Sequence, residues 1–461
     1  MIFIPIILAL FTLLILRLCN QHKYLNIFEQ IVIFVAALAL FVLELFLQGV
    51  IINHLSLLFP IITFVILLGL FLYKNNKKSY IQEIFVSIKA NFIDIHQFSS
   101  LKSWKKYLIL IVVYALMKVI MVFSINTNMP TFDEDAVAWD MKTKIFASTQ
   151  SLVLDKNNPE YLGTDYGRYP FAGIADTYFL LPYGNFVNGL NIVAPLMYIL
   201  ALLLLFGIFL RKTNFFISVI SLYLFTSLPF VLIHGFGSYW NFPAVFLFIF
   251  IFYLIDQLFH IDKEYGNNTS ILFPILSVFL SSVTRNEGVM ITGIIFLAIV
   301  VLYHILKRNI KEIKNHFWPL IPIILYIFNK IIFSFYPVTV LNTGTQINAD
   351  LLNSFFTNIG QPGVFVAPFQ QMFYHPDYIL LFVLFIITLI MFFRTYKHMK
   401  KIRLFAITIL LLLLFMFTLY ANVQSLLLTH YAFIRYPVSI VLFLLYTIIY
   451  SLYLKGNHEH L

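Results

Sequence analysis

Long uncharged apolar runs recur along the whole chain, each near the ~20 residues a helix needs to cross a bilayer. They cover about residues 2–18, 27–47, 55–73, 107–125, 190–210, 214–233, 241–259, 270–283, 289–306, 317–335, 378–393, 404–420 and 436–454. Only 11% of the 461 residues are charged, against about 25% in a soluble domain. The sequence therefore predicts an all-α polytopic membrane protein of about 13 transmembrane helices. The run at 270–283 is short and is expected to be a broken or partly buried helix. Without it, the Lys307–Lys314 cluster would fall on the wrong side. The single cysteine, Cys19, excludes a disulfide framework, and no Cys/His grouping has zinc-site spacing.

The net charge of +10 would suggest nucleic acid for a soluble domain, but in this chain the cations sort by membrane side. The first run lacks a basic start and a small-residue cleavage site, and Arg17 and Lys23 follow it, so it is expected to be a span with its N-terminus outside. The cytoplasmic loops then collect Lys74 to Lys106, Arg211 and Lys212, Lys307 to Lys314, and Arg394 to Arg403. That is the positive-inside pattern of a multi-pass plasma-membrane protein with a cytoplasmic C-terminus. No internal repeat is evident. Residues 1–106 form a three-helix segment with a basic loop, and 107–461 form the core.

Two long extracytoplasmic segments, 126–188 and 337–377, interrupt otherwise tight connections, and such loops are usually functional. The first holds Asp133, Glu134, Asp135, Asp140, Asp155, Glu160, Asp165 and Asp176, eight of twenty acidic residues, so acidity concentrates on the outer face. Thr131-x-x-Glu134 is a capping box and predicts a helix from Thr131. On its wheel Asp133, Asp140 and Lys144 share a face, Val137, Ala138, Met141 and Ile145 form an apolar stripe, and Asp135 falls with Lys142, Trp139 and Phe146. That suits a short interfacial helix. Glu134 is explained by the cap, and Asp140 with Lys144 by i,i+4 pairing. Asp133 suits a helix dipole, or a base that takes a proton from an attacking hydroxyl.

The outer face offers few cations: Lys142, Lys144, Lys156, Arg168, Arg285 and Arg435, with Lys118 and Lys330 inside spans. Arg285 has a local partner in Glu287, and Arg435 suits snorkelling at a span start. Lys118 and Lys330 need a polar partner, which Glu44 or Glu287 would supply, or they serve a site. One carboxylate with converging Arg and Lys donors has the parts for displacing a phosphate leaving group. Residues 337–377 contain no Lys or Arg, but carry Phe355, Phe356, Phe365, Phe369, Phe373 and Tyr374 broken by Gly360, Gly363 and Pro368. Such a segment suits the interface, or a cover over a lipid-accessible groove. His375 and His430 are outer histidines suited to proton transfer.

Pro130-x-x-Asp133-Glu134, Thr284-Arg285-Asn286-Glu287-Gly288 and Arg435-Tyr436 together resemble the type C glycosyltransferase superfamily, in its protein O-mannosyltransferase and aminoarabinose transferase-like branch. Arg168-Tyr169-Pro170 is similar to that family's proline-containing segment late in the first loop. The resemblance covers residues 107–454. It implies inverting transfer of a sugar from a polyprenyl-phosphate carrier to an acceptor hydroxyl of a glycan, lipid or protein, with Asp133 as base, Glu134 beside it, and Arg285 and Arg435 on the carrier phosphate. Asp135 joins the catalytic candidates; Asp140, Lys142, Arg168, Glu287, Lys330 and His430 join Arg285 and Arg435 as substrate-binding candidates. The three leading spans, Asp135 and Asp140 depart from the family pattern. No metal is expected, with a divalent cation among the clustered carboxylates as the alternative.

Two other functions fit some of these residues. A transporter or flippase of lipid-linked sugars would use Lys118 and Lys330 as transport-site charges, but the chain lacks the repeats and paired broken helices usual there. A glycan polymerase or ligase acting on a diphosphate-linked glycan would want more outer arginine. The topology is testable directly: alkaline phosphatase fused in the 126–188 or 337–377 loop should be active, and the same reporter fused after Leu461 should be inactive. The reverse pattern would overturn the sidedness.

Overall fold

The computed structural model describes residues 30–74, 146–151, 193–212 and 215–226, with Leu10, Leu14, Ile15, Phe28, Tyr114, Met117, Lys118, Ile120, Met121, Val383, Ile386, Ile387 and Ile390. Four helices are complete among them: α1 (Ile31–Ile52), α2 (Leu58–Lys74), α3 (Val193–Lys212) and α4 (Phe215–Thr226). They overlie four of the apolar runs. The isolated positions at 10–15, 114–121 and 383–390 are also helical and fall in three more. The remaining six runs lie outside the described residues.

α1 runs five residues beyond the end expected at 47, because Gln48 and Gly49 do not break it. It stops where Asn53 turns left-handed, at φ 56° and ψ 33°. Asparagine tolerates that conformation better than any other non-glycine residue except aspartate, and so serves as a helix stop. α2 starts five residues later, and the two form a helical hairpin. Their partners run antiparallel: Gln48 meets Phe59 and Glu44 meets Thr63.

The first backbone N–H groups of a helix have no partner within it. In α2 each is settled. Leu58 N–H donates to Ser56 Oγ at 3.3 Å, and Phe59 N–H donates to Gln48 Oε1 at 3.2 Å. Pro60 has no N–H to satisfy, and Ile61 N–H reaches the Leu57 carbonyl at 3.0 Å. The same Gln48 amide donates from Nε2 to the His54 carbonyl at 2.9 Å and to Ser56 Oγ. One side chain, 1% exposed, thereby ties the end of α1 to the turn and to the start of α2.

α1 packs against both α2 and α3, and α3 packs against α4. Ile33, Ala37, Phe41 and Leu45 of α1 are buried, as are Tyr198, Ala201, Leu205, Ile208 and Phe209 of α3; both sets recur at helical spacing. Phe28, just before α1, meets Phe206 edge-to-face at 4.9 Å. α4 has the opposite polarity from a water-facing helix. Ser218 and Ser221 are buried while Ile220, Tyr223 and Leu224 are exposed. Ser221 Oγ donates to the Ile217 carbonyl at 2.6 Å, so its buried hydroxyl is satisfied within the helix.

α2 exposes Ile61, Ile62, Val65, Ile66 and Leu72, the last at 61%. Among the described residues, no helix is long and apolar enough to cross a membrane. Counted along its backbone, α1 has 22 residues. That is about 33 Å at 1.5 Å per residue, against a hydrocarbon core of about 30 Å.

Gln48→Leu removes the amide while keeping the apolar bulk, leaving the Phe59 N–H and His54 carbonyl without that partner. These groups are partly buried, so stranding each costs at most about 1–3 kcal/mol, the cost for a fully buried group. Equilibrium unfolding in mixed micelles should register a loss in that range, and an unchanged midpoint would show that Gln48 does not hold the hairpin.

Candidate functional site

The sequence singles out the outer acidic segment and the cations that would meet it. Asp133, Glu134, Asp135, Asp140, Lys142, Arg168, Arg285, Glu287, Lys330, His430 and Arg435 all lie outside the described residues. Residues 337–377 and His375 do too. The described residues do include residues 146–151 of the 126–188 loop, one buried cation and one buried carboxylate.

Residues 146–149 are helical, and the rest of the helix expected from Thr131 lies outside the described residues. The helical stretch ends at Gln150, which takes a positive φ of 50°. Here the chain meets the turn between α1 and α2. Leu55 N–H donates to the Gln150 carbonyl at 2.6 Å, and Ser151 Oγ donates to Asn53 Oδ1 at 2.7 Å. Ser151 N–H and Thr149 Oγ1 bond at 3.3 Å, closing the end of the stretch on itself. Phe146 and Leu55 are both fully buried. Two hydrogen bonds therefore join the 126–188 loop to the N-terminal hairpin across about a hundred residues of sequence.

Lys118 is buried. Its Nζ donates to the Thr226 carbonyl at 2.6 Å and lies 4.5 Å from the centre of the Tyr114 ring. Tyr114 in turn stacks at a tilt on Tyr223, with centroids 5.2 Å apart. Thr226 is the last residue of α4, where carbonyls lack intrahelical donors and the helix dipole is negative. Lys118 therefore caps a helix C-terminus. Among the described residues it makes no ion pair with Glu44, one of the two partners the sequence offered. The capping role was not legible in the sequence, because a backbone carbonyl partner leaves no residue-type signal.

Glu44 is buried beside α2. Thr63 bonds its carboxyl, and Oε2 has no hydrogen-bond partner among the described residues. Glu44 and Gln48 are one helical turn apart and share the α2-facing side of α1. Among the described residues no three His, Cys, Asp or Glu side chains gather where a metal would bind.

No protein-family model, curated protein or solved structure matches this chain.

Because Lys118 holds the end of α4, Lys118→Met should destabilise the protein by about 1.5–3 kcal/mol, the range for a hydrogen bond from a charged donor. Lys118→Arg should recover part of that loss. A thermal-shift series in detergent reads both, and a Met variant as stable as the parent would remove the capping role.

Proposed function

We propose that the chain is an integral membrane glycosyltransferase that moves a monosaccharide from a polyprenyl-phosphate carrier to an extracytoplasmic acceptor hydroxyl with inversion. The observation that supports this reading is a tie between the loop that carries the acidic motif and the N-terminal hairpin. Pro130–Glu134 lies in the 126–188 loop, and Gln150 and Ser151 of that loop are bonded to the turn between α1 and α2. With the N-terminus outside, the second and third spans join on the outer side, and so does the 126–188 loop. The contact therefore agrees with a topology derived from charge alone.

Further contacts agree with the same topology. Lys118 and Thr226 fall at matching depths, each about two-thirds of the way outward along its span. Phe28 and Phe206 both fall at the cytoplasmic end. The membrane reading is further supported by buried serines and exposed apolar residues on α4, as expected where small polar residues face neighbouring helices and apolar ones face lipid. In water, the exposed stripe on α2 would be an apolar patch of the kind soluble monomers avoid.

In this mechanism Asp133 takes the proton from the acceptor hydroxyl as its oxygen bonds to the anomeric carbon. The bond from that carbon to the carrier phosphate breaks, and its electron pair leaves with polyprenyl phosphate. Arg285 and Arg435, with Lys330, stabilise the phosphate as it gains charge. Glu134 and Asp135 flank the base; Asp140, Lys142, Arg168, Glu287 and His430 line the substrates. The acceptor is a glycan, lipid or protein hydroxyl, and no metal enters these steps. The transporter reading loses one of its two charges, since Lys118 is committed to Thr226.

Transfer from radiolabelled polyprenyl-phosphate hexoses in membranes carrying this chain is the test. Asp133→Asn should lower the rate by about 10²- to 10⁴-fold, the usual contribution of a positioned base, with the protein still folded. Retained transfer in both Asp133→Asn and Asp135→Asn would overturn the mechanism. Labelled donor moving between leaflets without transfer would favour the flippase.

A further inference from the structure

We infer that the turn between α1 and α2 is the seat of the outer acidic segment, and that Asn53 and Ser151 are positioning residues for the reaction proposed above, on which this role rests. The three leading spans would then be part of the working enzyme. In sequence they look like an addition to a core that begins at residue 107.

Each side of the contact is shaped for it. Asn53 ends α1 in the left-handed region, which brings its amide oxygen within 2.7 Å of Ser151 Oγ. Gln150 also takes a positive φ, and its carbonyl receives the Leu55 N–H. The turn is itself braced from behind, because the Gln48 amide holds His54 and Ser56 on either side of Leu55. Movement of the acidic segment is therefore resisted by the hairpin and not by a loose loop.

Geometry explains why such an anchor matters. Asp133 precedes Phe146 by thirteen positions, a lever of about 20 Å along the helix that the capping box predicts. A tilt of about 10° at the anchored end would move the other end by about 3.5 Å, where a misplacement of about 1 Å can cost roughly a hundredfold in rate. The face of the helix that is held also matters. Phe146 is fully buried; on the wheel it shares a face with Asp135 and Lys142, while Asp133 and Asp140 fall about 120–140° away. On that predicted helix, burial of the Phe146 face would leave Asp133, rather than Asp135, toward the opposite side.

The experiment uses the full chain with Cys19→Ser and spin labels at Ile51→Cys and Asp133→Cys, measuring the distance distribution between them in lipid. A narrow distribution is expected, broadened by Asn53→Gly, which keeps the left-handed turn but removes the acceptor, and restored by Asn53→Asp, which returns one. In chains without labels, Asn53→Gly and Ser151→Ala should each lower kcat for sugar transfer about tenfold with KM for the donor unchanged. An unbroadened distribution in folded Asn53→Gly overturns the inference, as do wild-type kcat values in both variants. Broadening by Asn53→Gly, together with no sugar transfer by the unlabelled parent chain, upholds the anchor and instead sinks the glycosyltransferase reading.

Discussion

Where water is scarce, a backbone group that loses its helical partner must find another within the protein, and helix ends are where that demand arises. The described part of this chain is organised by its answers. Gln48 supplies an acceptor to α2 and donors to the turn. Asn53 stops α1 and receives Ser151. Lys118 closes the end of α4 from another segment of the chain. In each case a polar residue in or beside an apolar run meets a helix terminus.

That arrangement changes the weight given to buried polar residues as signs of chemistry. Glutamine, glutamate and lysine within apolar runs invite a transport or catalytic role. Here Gln48 and Lys118 have sufficient structural work among the described residues, and Glu44 is partly met by Thr63. The proposed function accordingly assigns the chemistry to carboxylates and cations in the loops that the charge pattern of the sequence places outside.

The sequence made the helices legible wherever hydrophobicity alone decides. The runs at 55–73 and 190–210 appear as α2 and α3, displaced by a few residues. It did less well where one side chain decides. The apolar run ends at about 47, whereas the amide of Gln48 bonds forward to the turn and the helix runs on to Ile52. Lys118 was matched with carboxylates because charge complements charge in a sequence; a carbonyl at a helix end has no letter of its own. The junction of Ser151 with Asn53 was equally hidden, being set by two left-handed residues, 53 and 150. The candidate site was legible only as motifs and their order, and its residues lie outside those described.

The two polar fastenings also differ in when they become available as the chain emerges. Gln48 and Phe59 are eleven residues apart, so the hairpin of α1 and α2 can close almost as soon as it is synthesised. Lys118 and Thr226 are 108 residues apart, and at about 5–20 residues per second the lysine waits on the order of ten seconds for its carbonyl. Throughout that interval an uncapped cation must be tolerated beside the nascent bundle. Biogenesis of this protein should therefore be most vulnerable between synthesis of the fourth apolar run, which carries Lys118, and of α4, when the early hairpin is set and its later neighbours have yet to arrive.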